Sequence, residues 1–441
     1  MKITFYGAVK SVTGANYLLE DGDTKILIDC GLHQGSSYCE AHNWEPFLYD
    51  PKEIKAVFVT HSHIDHIGRL PQLVKSGFGG KIFSTPPTRD ASGLLLLDSE
   101  HILSQEADKK NKPLLYTSND ISLTMQLWEG VEYHQSIKID NLSVRLYNAG
   151  HILGSSFILV DNGRTKIVFS GDLGNSPAPL LGSKEELPEA DYCVMESTYG
   201  GRIHEDLEKR KEIIEDLIED VVRSNGVLMI PAFAMERTQE MIFEIDQLVE
   251  QKRIPRIPVF IDSPLAIKLT EVYEKNRRYL IDGSMHFNFP GLKTTLTTEE
   301  SKSINDVLPP KVIIAGSGMS NGGRILHHER RYLSDPNSTL LVVGYQAMGS
   351  LGRKLLDGEK KVKIFGEEIN VNCKVKAISG YSAHADKPQL LNWIKPQRQN
   401  LKNIFLVQGE EKEGNVLAQA LKDELAINAM LPDLNVSYEL K

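Results

Sequence analysis

Six consecutive residues, His61-Ser62-His63-Ile64-Asp65-His66, carry four side chains able to bind a metal ion. They follow an apolar run, Ala56-Val57-Phe58-Val59-Thr60, that reads as a buried strand. A strand sends successive side chains to opposite faces. His61 and His63, two apart, therefore point the same way as the strand ends. The turn beyond brings Asp65 and His66 to an adjacent point. That geometry suits two metal ions in one pocket, held by imidazole nitrogen and carboxylate oxygen.

Composition narrows the setting. The chain has 441 residues, 41% hydrophobic and 25% charged, the make-up of a globular protein of two or three domains. Net charge is −9, which opposes bulk attraction to nucleic acid. The stretch 206–370 is close to charge balance and the remainder carries most of the acidic excess. A polyanion would have to be held by a local basic cleft, with metal ions sharing the steering. Cys30, Cys39, Cys193 and Cys373 are scattered with no C-x-x-C pair, which argues against a disulfide scaffold or zinc ribbon and predicts a reducing, cytoplasmic setting. The first residues, Met1 to Tyr6, lack the basic and apolar regions of a secretory leader, so none is expected. The apolar run Leu94 to Leu97 is far too short to span a bilayer.

Up to about residue 200 the pattern is strand-rich. Strands are expected near 3–6, 17–20, 25–29, 144–147, 156–160, 166–170 and 192–196, with a helix over 94–112. From Glu205 to Arg223 apolar residues recur at helical spacing. Strands and helices then alternate, with strands at 227–231, 258–262, 311–315 and 339–344 and helices at 236–251, 264–278 and 322–334. Alternation of this kind implies a parallel, Rossmann-like sheet. Metal-site signals return from Val371, with strands at 375–379 and 403–407. The domain limits expected are 1–204, 205–370 and 371–441, the middle one inserted into the first.

Two more signals join the histidine block. Gly150-His151-Ile152-Leu153-Gly154 places His151 in a glycine-flanked loop after a strand, and Ser170-Gly171-Asp172-Leu173-Gly174 places Asp172 at another strand end. A carboxylate there can bridge two ions.

The arrangement resembles the metallo-β-lactamase superfamily, and within it the β-CASP nucleases of the cleavage-and-polyadenylation type and their prokaryotic relatives. The resemblance rests on 60–71, 150–155 and 171–174. It rests also on Glu196-Ser197-Thr198-Tyr199-Gly200, Pro231-Ala232-Phe233-Ala234, Asp262-Ser263-Pro264-Leu265-Ala266, Gly322-Gly323-Arg324 and Ser382-Ala383-His384-Ala385-Asp386. It implies an α/β fold: a metallo-β-lactamase αββα sandwich carrying an inserted Rossmann-like β-CASP domain. It assigns one zinc to His61, His63 and His151 and a second to Asp65 and His66, with Asp172 bridging. Asp29 matches the superfamily's first motif and orders the site from behind. Glu196 and His384 match the first two β-CASP motifs, and Asp65, Glu196, His384 and Asp29 form the expected catalytic set. The third motif departs from the pattern. Leu406-Val407-Gln408-Gly409-Glu410 puts Gln408 where the family has a histidine ligand. An amide oxygen binds zinc more weakly than imidazole, so a weaker second site, or one that Mn²⁺ contests, is expected.

The implied activity is zinc-dependent hydrolysis of single-stranded RNA, as an endo- or 5′-exoribonuclease in RNA processing or decay, through hydroxide activated by two zinc ions. Products carry a 5′-phosphate and a 3′-hydroxyl. His384 would hydrogen-bond the scissile phosphate or protonate the leaving oxygen. The run Ala315 to Arg324 follows a strand and opens a helix, where backbone N–H groups can cradle phosphate. Its glycines miss the G-x-G-x-x-G spacing of a dinucleotide site. Ser317, Gly318, Arg324, Arg237, Arg353 and Ser382 are the expected substrate-binding residues. Tyr199, Phe233 and Tyr345 can stack bases, and His327-His328 are expected to face solvent. The resemblance allows a homodimer, which no residue pattern demands. Two rival classes remain: an impaired RNA-binding subunit, favoured by Gln408, and a small-molecule metallo-hydrolase, disfavoured by the long insertion.

Overall fold

The computed structural model describes all residues except 36–39, 205–208, 284, 345 and 379–381, and the side chains of Lys110 and Lys209. Cys39 and Tyr345 therefore lie outside the described residues. Backbone contacts divide the chain into two compact units, Met1–Ile203 with Ala383–Lys441, and His204–Ser382.

The first unit holds two seven-stranded sheets. One is ordered Ser437–Glu439, Lys2–Phe5, Tyr17–Asp21, Thr24–Ile28, Ala56–Phe58, Lys81–Ser84, Trp128–Gly130. The other is ordered Ala429–Met430, Asn403–Val407, Tyr192–Glu196, Lys166–Phe169, Ser156–Asp161, Leu142–Asn148, Ile137–Ile139. Alternate residues of both sheets meet in one core. Ile3, Phe5, Leu19, Ile26, Ile28 and Phe58 face Val144, Ile158, Val160, Ile167, Phe169 and Phe405. The opposite faces bury Val57, Ile82 and Leu27 under Leu70, Leu73, Leu96 and Ile121 on one side. On the other they bury Val168, Cys193 and Leu406 under Leu390, Trp393, Leu417 and Leu421. This is the expected αββα layering.

The helix expected over 94–112 starts earlier, at Pro86, and ends at Lys110. Pro86 and Pro87 sit in its first turn, where a missing N–H costs nothing. Thr85 caps it and also donates its hydroxyl to the carbonyl of Gly154, 2.6 Å away, tying the helix start to the His151 loop.

In the second unit six parallel strands are ordered Leu292–Thr294, Val259–Asp262, Lys311–Ala315, Val227–Pro231, Thr339–Val343, Lys374–Ile378. In chain order that is 3-2-4-1-5-6, a variation on the doubly wound arrangement. Helices Lys209–Ser224, Arg237–Glu250, Pro264–Lys275 and Ile325–Tyr332 alternate with them. The helix expected from Glu205 thus starts, among the described residues, at Lys209. Lys374–Ile378 pairs with Thr339–Val343, so this strand belongs to the second unit's sheet. The sequence pattern places the return to the first domain at Val371, because metal motifs follow at once; backbone contacts divide the units at Ala383. No helix among the described residues is long and apolar enough to cross a membrane.

Candidate metal centre

All of the expected ligands fall in the first unit, at strand ends along one rim of the sandwich. Asp29 follows strand Thr24–Ile28 with a left-handed backbone (φ 60°) and is fully buried. Its carboxylate accepts the Thr60 N–H and the Thr60 hydroxyl, each at 2.8 Å, and His66 Nδ1 at 2.8 Å. A carboxylate so placed only accepts, so His66 carries its proton on Nδ1 and turns Nε2 inward. Thr60 Oγ1, having donated to Asp29, lies 3.1 Å from His61 Nδ1 and accepts from it, which fixes the same tautomer there. His151 Nδ1 lies 3.0 Å from the carbonyl of Ala383, which again leaves Nε2 bare. Thr60 and the Ala383 carbonyl thus join the expected residues in orienting the rings. A hydroxyl just before the histidine block is a usable sequence signal, whereas a backbone carbonyl leaves none.

The inward atoms form a compact set. His61 Nε2 is 3.1 Å from His63 Nδ1 and 3.3 Å from Asp172 Oδ2. His151 Nε2 is 3.3 Å from both His63 Nδ1 and Asp172 Oδ2. An ion held tetrahedrally by bonds of about 2.0 Å spaces its ligands about 3.3 Å apart. These residues therefore fit a zinc-like cation. Bare nitrogens this close otherwise repel, and a shared cation turns the repulsion into binding. Burial pushes the His63 and His151 pKa values well below the usual range, which keeps both neutral and ready to ligate.

The second set is looser. His66 Nε2 lies 3.4 Å from Asp172 Oδ1 and 3.9 Å from Asp65 Oδ2. Gln408 Nε2 lies 3.0 Å from His66 Nε2 and also donates to Asp172 Oδ1. Burial opposes charge on His66, yet Asp172, Asp29 and Asp65 outweigh it and push its pKa up. The amide nitrogen beside Nε2 requires the neutral ring, and a cation on Asp172 weakens the largest of the three pulls.

His384 completes the rim. Segment 383–385 is stitched to the Asp172 loop by Asn175 N to Ala383 O and Ala385 N to Leu173 O. His384 Nδ1 lies 3.0 Å from Glu196 Oε2, and its Nε2 is 3.8 Å from Asp172 Oδ2. Burial would lower its pKa, but Glu196 and Asp172 raise it to about 9. Tyr199, half-buried, puts its ring 5.9 Å from that of His384.

The expected substrate-binding residues behave differently. Ser317, Gly318 and Arg324 share one loop of the second unit, but the N–H groups of Ser317, Ser320, Asn321 and Ile325 are bonded within that loop. Part of the expected phosphate cradle is thus spent on the loop itself. Gly318 gives Phe233 its seat: a Cβ there would meet the Phe233 ring at 2.8 Å. Phe233 is 45% exposed. Arg324 donates to Asp262 Oδ1 at 2.8 Å and to the carbonyls of Thr295 and Leu296. Arg237 is buried against Glu240, and Arg353 pairs with Asp357 on the surface. Ser382, half-buried, is the last residue of the second unit. His328 does not face solvent: it is buried, with Nε2 2.7 Å from Asp262 Oδ2 at the end of strand Val259–Asp262. His327 packs on Phe365, their rings 4.7 Å apart.

Comparison with known proteins agrees with this architecture. Residues 18–183 match the metallo-beta-lactamase superfamily domain and 238–355 the Beta-Casp domain. Residues 368–432 match the Zn-dependent metallo-hydrolase RNA specificity domain. Ribonuclease TTHA0252 of Thermus thermophilus is 35% identical, with 96% of each chain covered. Transcription termination factor FttA of Methanosarcina mazei is 32% identical over 97% of this chain and 70% of its own length. Integrator complex subunit 11 of Gallus gallus is 27% identical over 98% of this chain and 72% of its own. A crystal structure of a protein of unknown function from Enterococcus faecalis V583 shares the fold, with a TM-score of 0.57 at 14% identity over the whole chain. With its histidine block, inserted parallel sheet and end-to-end similarity to these relatives, the chain belongs to the β-CASP family of the metallo-β-lactamase superfamily.

Proposed function

We propose that the chain is a metal-dependent ribonuclease that hydrolyses phosphodiester bonds of single-stranded RNA with two divalent cations, zinc foremost. The observation that carries this reading is the four-atom donor set of His61, His63, His151 and Asp172 with His384 beside it. Cations bound there supply Lewis acidity, which makes water acidic enough to yield a nucleophile near neutral pH and offsets charge on phosphate oxygens. The residues do the rest. Asp29 and Thr60 hold the ligand rings in one tautomer. His384, whose pKa Glu196 and Asp172 raise, can present Nε2–H to the phosphate and pass that proton to the departing 3′ oxygen. Glu196 holds His384 through Nδ1 and stabilises its charge. The similarity to Ribonuclease TTHA0252 supports the substrate class. Buried thiols at Cys30, Cys193 and Cys373, none in a disulfide, support a reducing cytoplasmic setting.

The test is cleavage of end-labelled single-stranded RNA by wild type and His63→Ala. Wild type yields fragments with 5′-phosphate and 3′-hydroxyl ends, and the variant yields none. Undiminished turnover by His63→Ala overturns the reading, as does faster hydrolysis of a β-lactam or thioester than of RNA.

A further inference from the structure

Gln408 occupies an unusual place. Its backbone is left-handed (φ 49°) and pinned on both sides: its N–H donates to Ala8 O at 2.8 Å and its carbonyl accepts the Thr198 hydroxyl at 2.7 Å. The next residue is held as firmly, since a Cβ on Gly409 would meet Ser197 Oγ at 2.3 Å. The side chain is buried. Its amide nitrogen donates to Asp172 Oδ1 and stands 3.0 Å from His66 Nε2, while its oxygen is 3.5 Å from the Tyr17 hydroxyl.

An amide nitrogen has no lone pair to offer a metal; it only donates. It here directs its two hydrogens at the two atoms, His66 Nε2 and Asp172 Oδ1, that a second cation would need. Turned over, the amide would set its oxygen against the lone pairs of those same atoms when His66 is neutral, an arrangement that a cation between them makes favourable. Tyr17 serves either orientation, because a phenol hydroxyl both donates and accepts. Rotation of the terminal amide, a broad two-fold torsion, needs no movement of that backbone.

We propose that the Gln408 amide stands in the second cation's place, so that the chain holds one cation tightly and admits a second only when the amide turns over. The proposal rests on the cation centre of the preceding reading, and it differs from treating Gln408 as a weak ligand. A ligand, when removed, weakens the second site. A competitor, when removed, strengthens it.

Zinc titration of the metal-stripped full chain by calorimetry, with bound metal counted by mass spectrometry, separates the two. Wild type should take one zinc tightly and a second at least about tenfold more weakly, the scale of one net hydrogen bond to a charged group. Gln408→Asn, whose shorter amide falls short of His66 and Asp172, should tighten the second zinc by about tenfold. Asparagine tolerates the left-handed backbone, so this variant is expected to fold. Gln408→Ala, checked for folding by its thermal melt, should do the same. A weaker or unchanged second zinc in Gln408→Asn overturns the proposal, and so do two equally tight ions in wild type. Failure of the cation centre itself reads differently: wild type would bind no tight zinc at all, or His63→Ala would keep it.

Discussion

Glu196 reaches His384 with one carboxylate oxygen, 3.0 Å from Nδ1, and takes the backbone N–H of Leu173 with the other. One buried side chain thus links the His384 imidazole to the loop that carries Asp172. Replacing it with glutamine keeps the shape and removes the charge that holds the proton on His384. Glu196→Gln should lower kcat by about 100-fold or more with little change in KM, the usual scale for a positioned acid. Steady-state kinetics on RNA checks this, and an unchanged kcat would remove His384 from the proton-transfer role.

Asp29 touches no cation ligand atom directly, yet it sets the ring of His66 and, through Thr60, that of His61. Asp29→Asn leaves those rings free to choose the wrong tautomer. Zinc affinity should fall by about 10–100-fold, as when other partners behind a metal ligand are lost. A calorimetric titration identical to wild type would show that the rings are set by something else.

Much of this was legible in the sequence, and the reasons for the gaps are physical. His61, His63, His151 and Asp172 stand out because they are metal-competent residue types at strand ends, and the fold brings their donor atoms within 4.8 Å of one another. The parallel sheet is visible in runs such as Val227–Pro231 and Lys311–Ala315, which are apolar on both faces because helices cover both. The arginines were not legible. Arg237 and Arg324 satisfy carboxylates of their own unit, and a charge in a sequence does not reveal its partner. His328 was misplaced for the same reason: its partner Asp262 lies 66 residues away. Thr339–Val343 recruits Lys374–Ile378 by hydrogen bonding that no local pattern encodes.

Arg324 is tied to Asp262, which is fully buried and also bonded to Thr295, Ser301 and His328. Arg324→Ala leaves that carboxylate with three partners and no arginine. The second unit should lose about 1–3 kcal/mol, less than for a fully buried pair because Arg324 keeps some exposure. Denaturant unfolding measures it, and a loss below about 0.5 kcal/mol would mark the pair as an ordinary surface contact.

Glu329 is fully buried; one oxygen accepts the Ser320 hydroxyl and the other meets no partner among the described residues. Burial raises its pKa from 4.5 to about 8. Between those values the folded chain holds a proton that the unfolded chain has released. Stability from this residue is therefore complete below pH 4.5 and is lost as pH rises toward 8, by at most about 1.4 kcal/mol per pH unit. Glu329→Gln should flatten that slope and be the more stable form at pH 8. Parallel pH profiles of the two proteins would refute this assignment.

The most direct test is anomalous scattering at the zinc edge from crystals of the zinc-loaded chain. A peak about 2.0 Å from His61 Nε2, His63 Nδ1, His151 Nε2 and an Asp172 oxygen is the predicted result. No peak among these four atoms, or one held by other residues, would contradict the account.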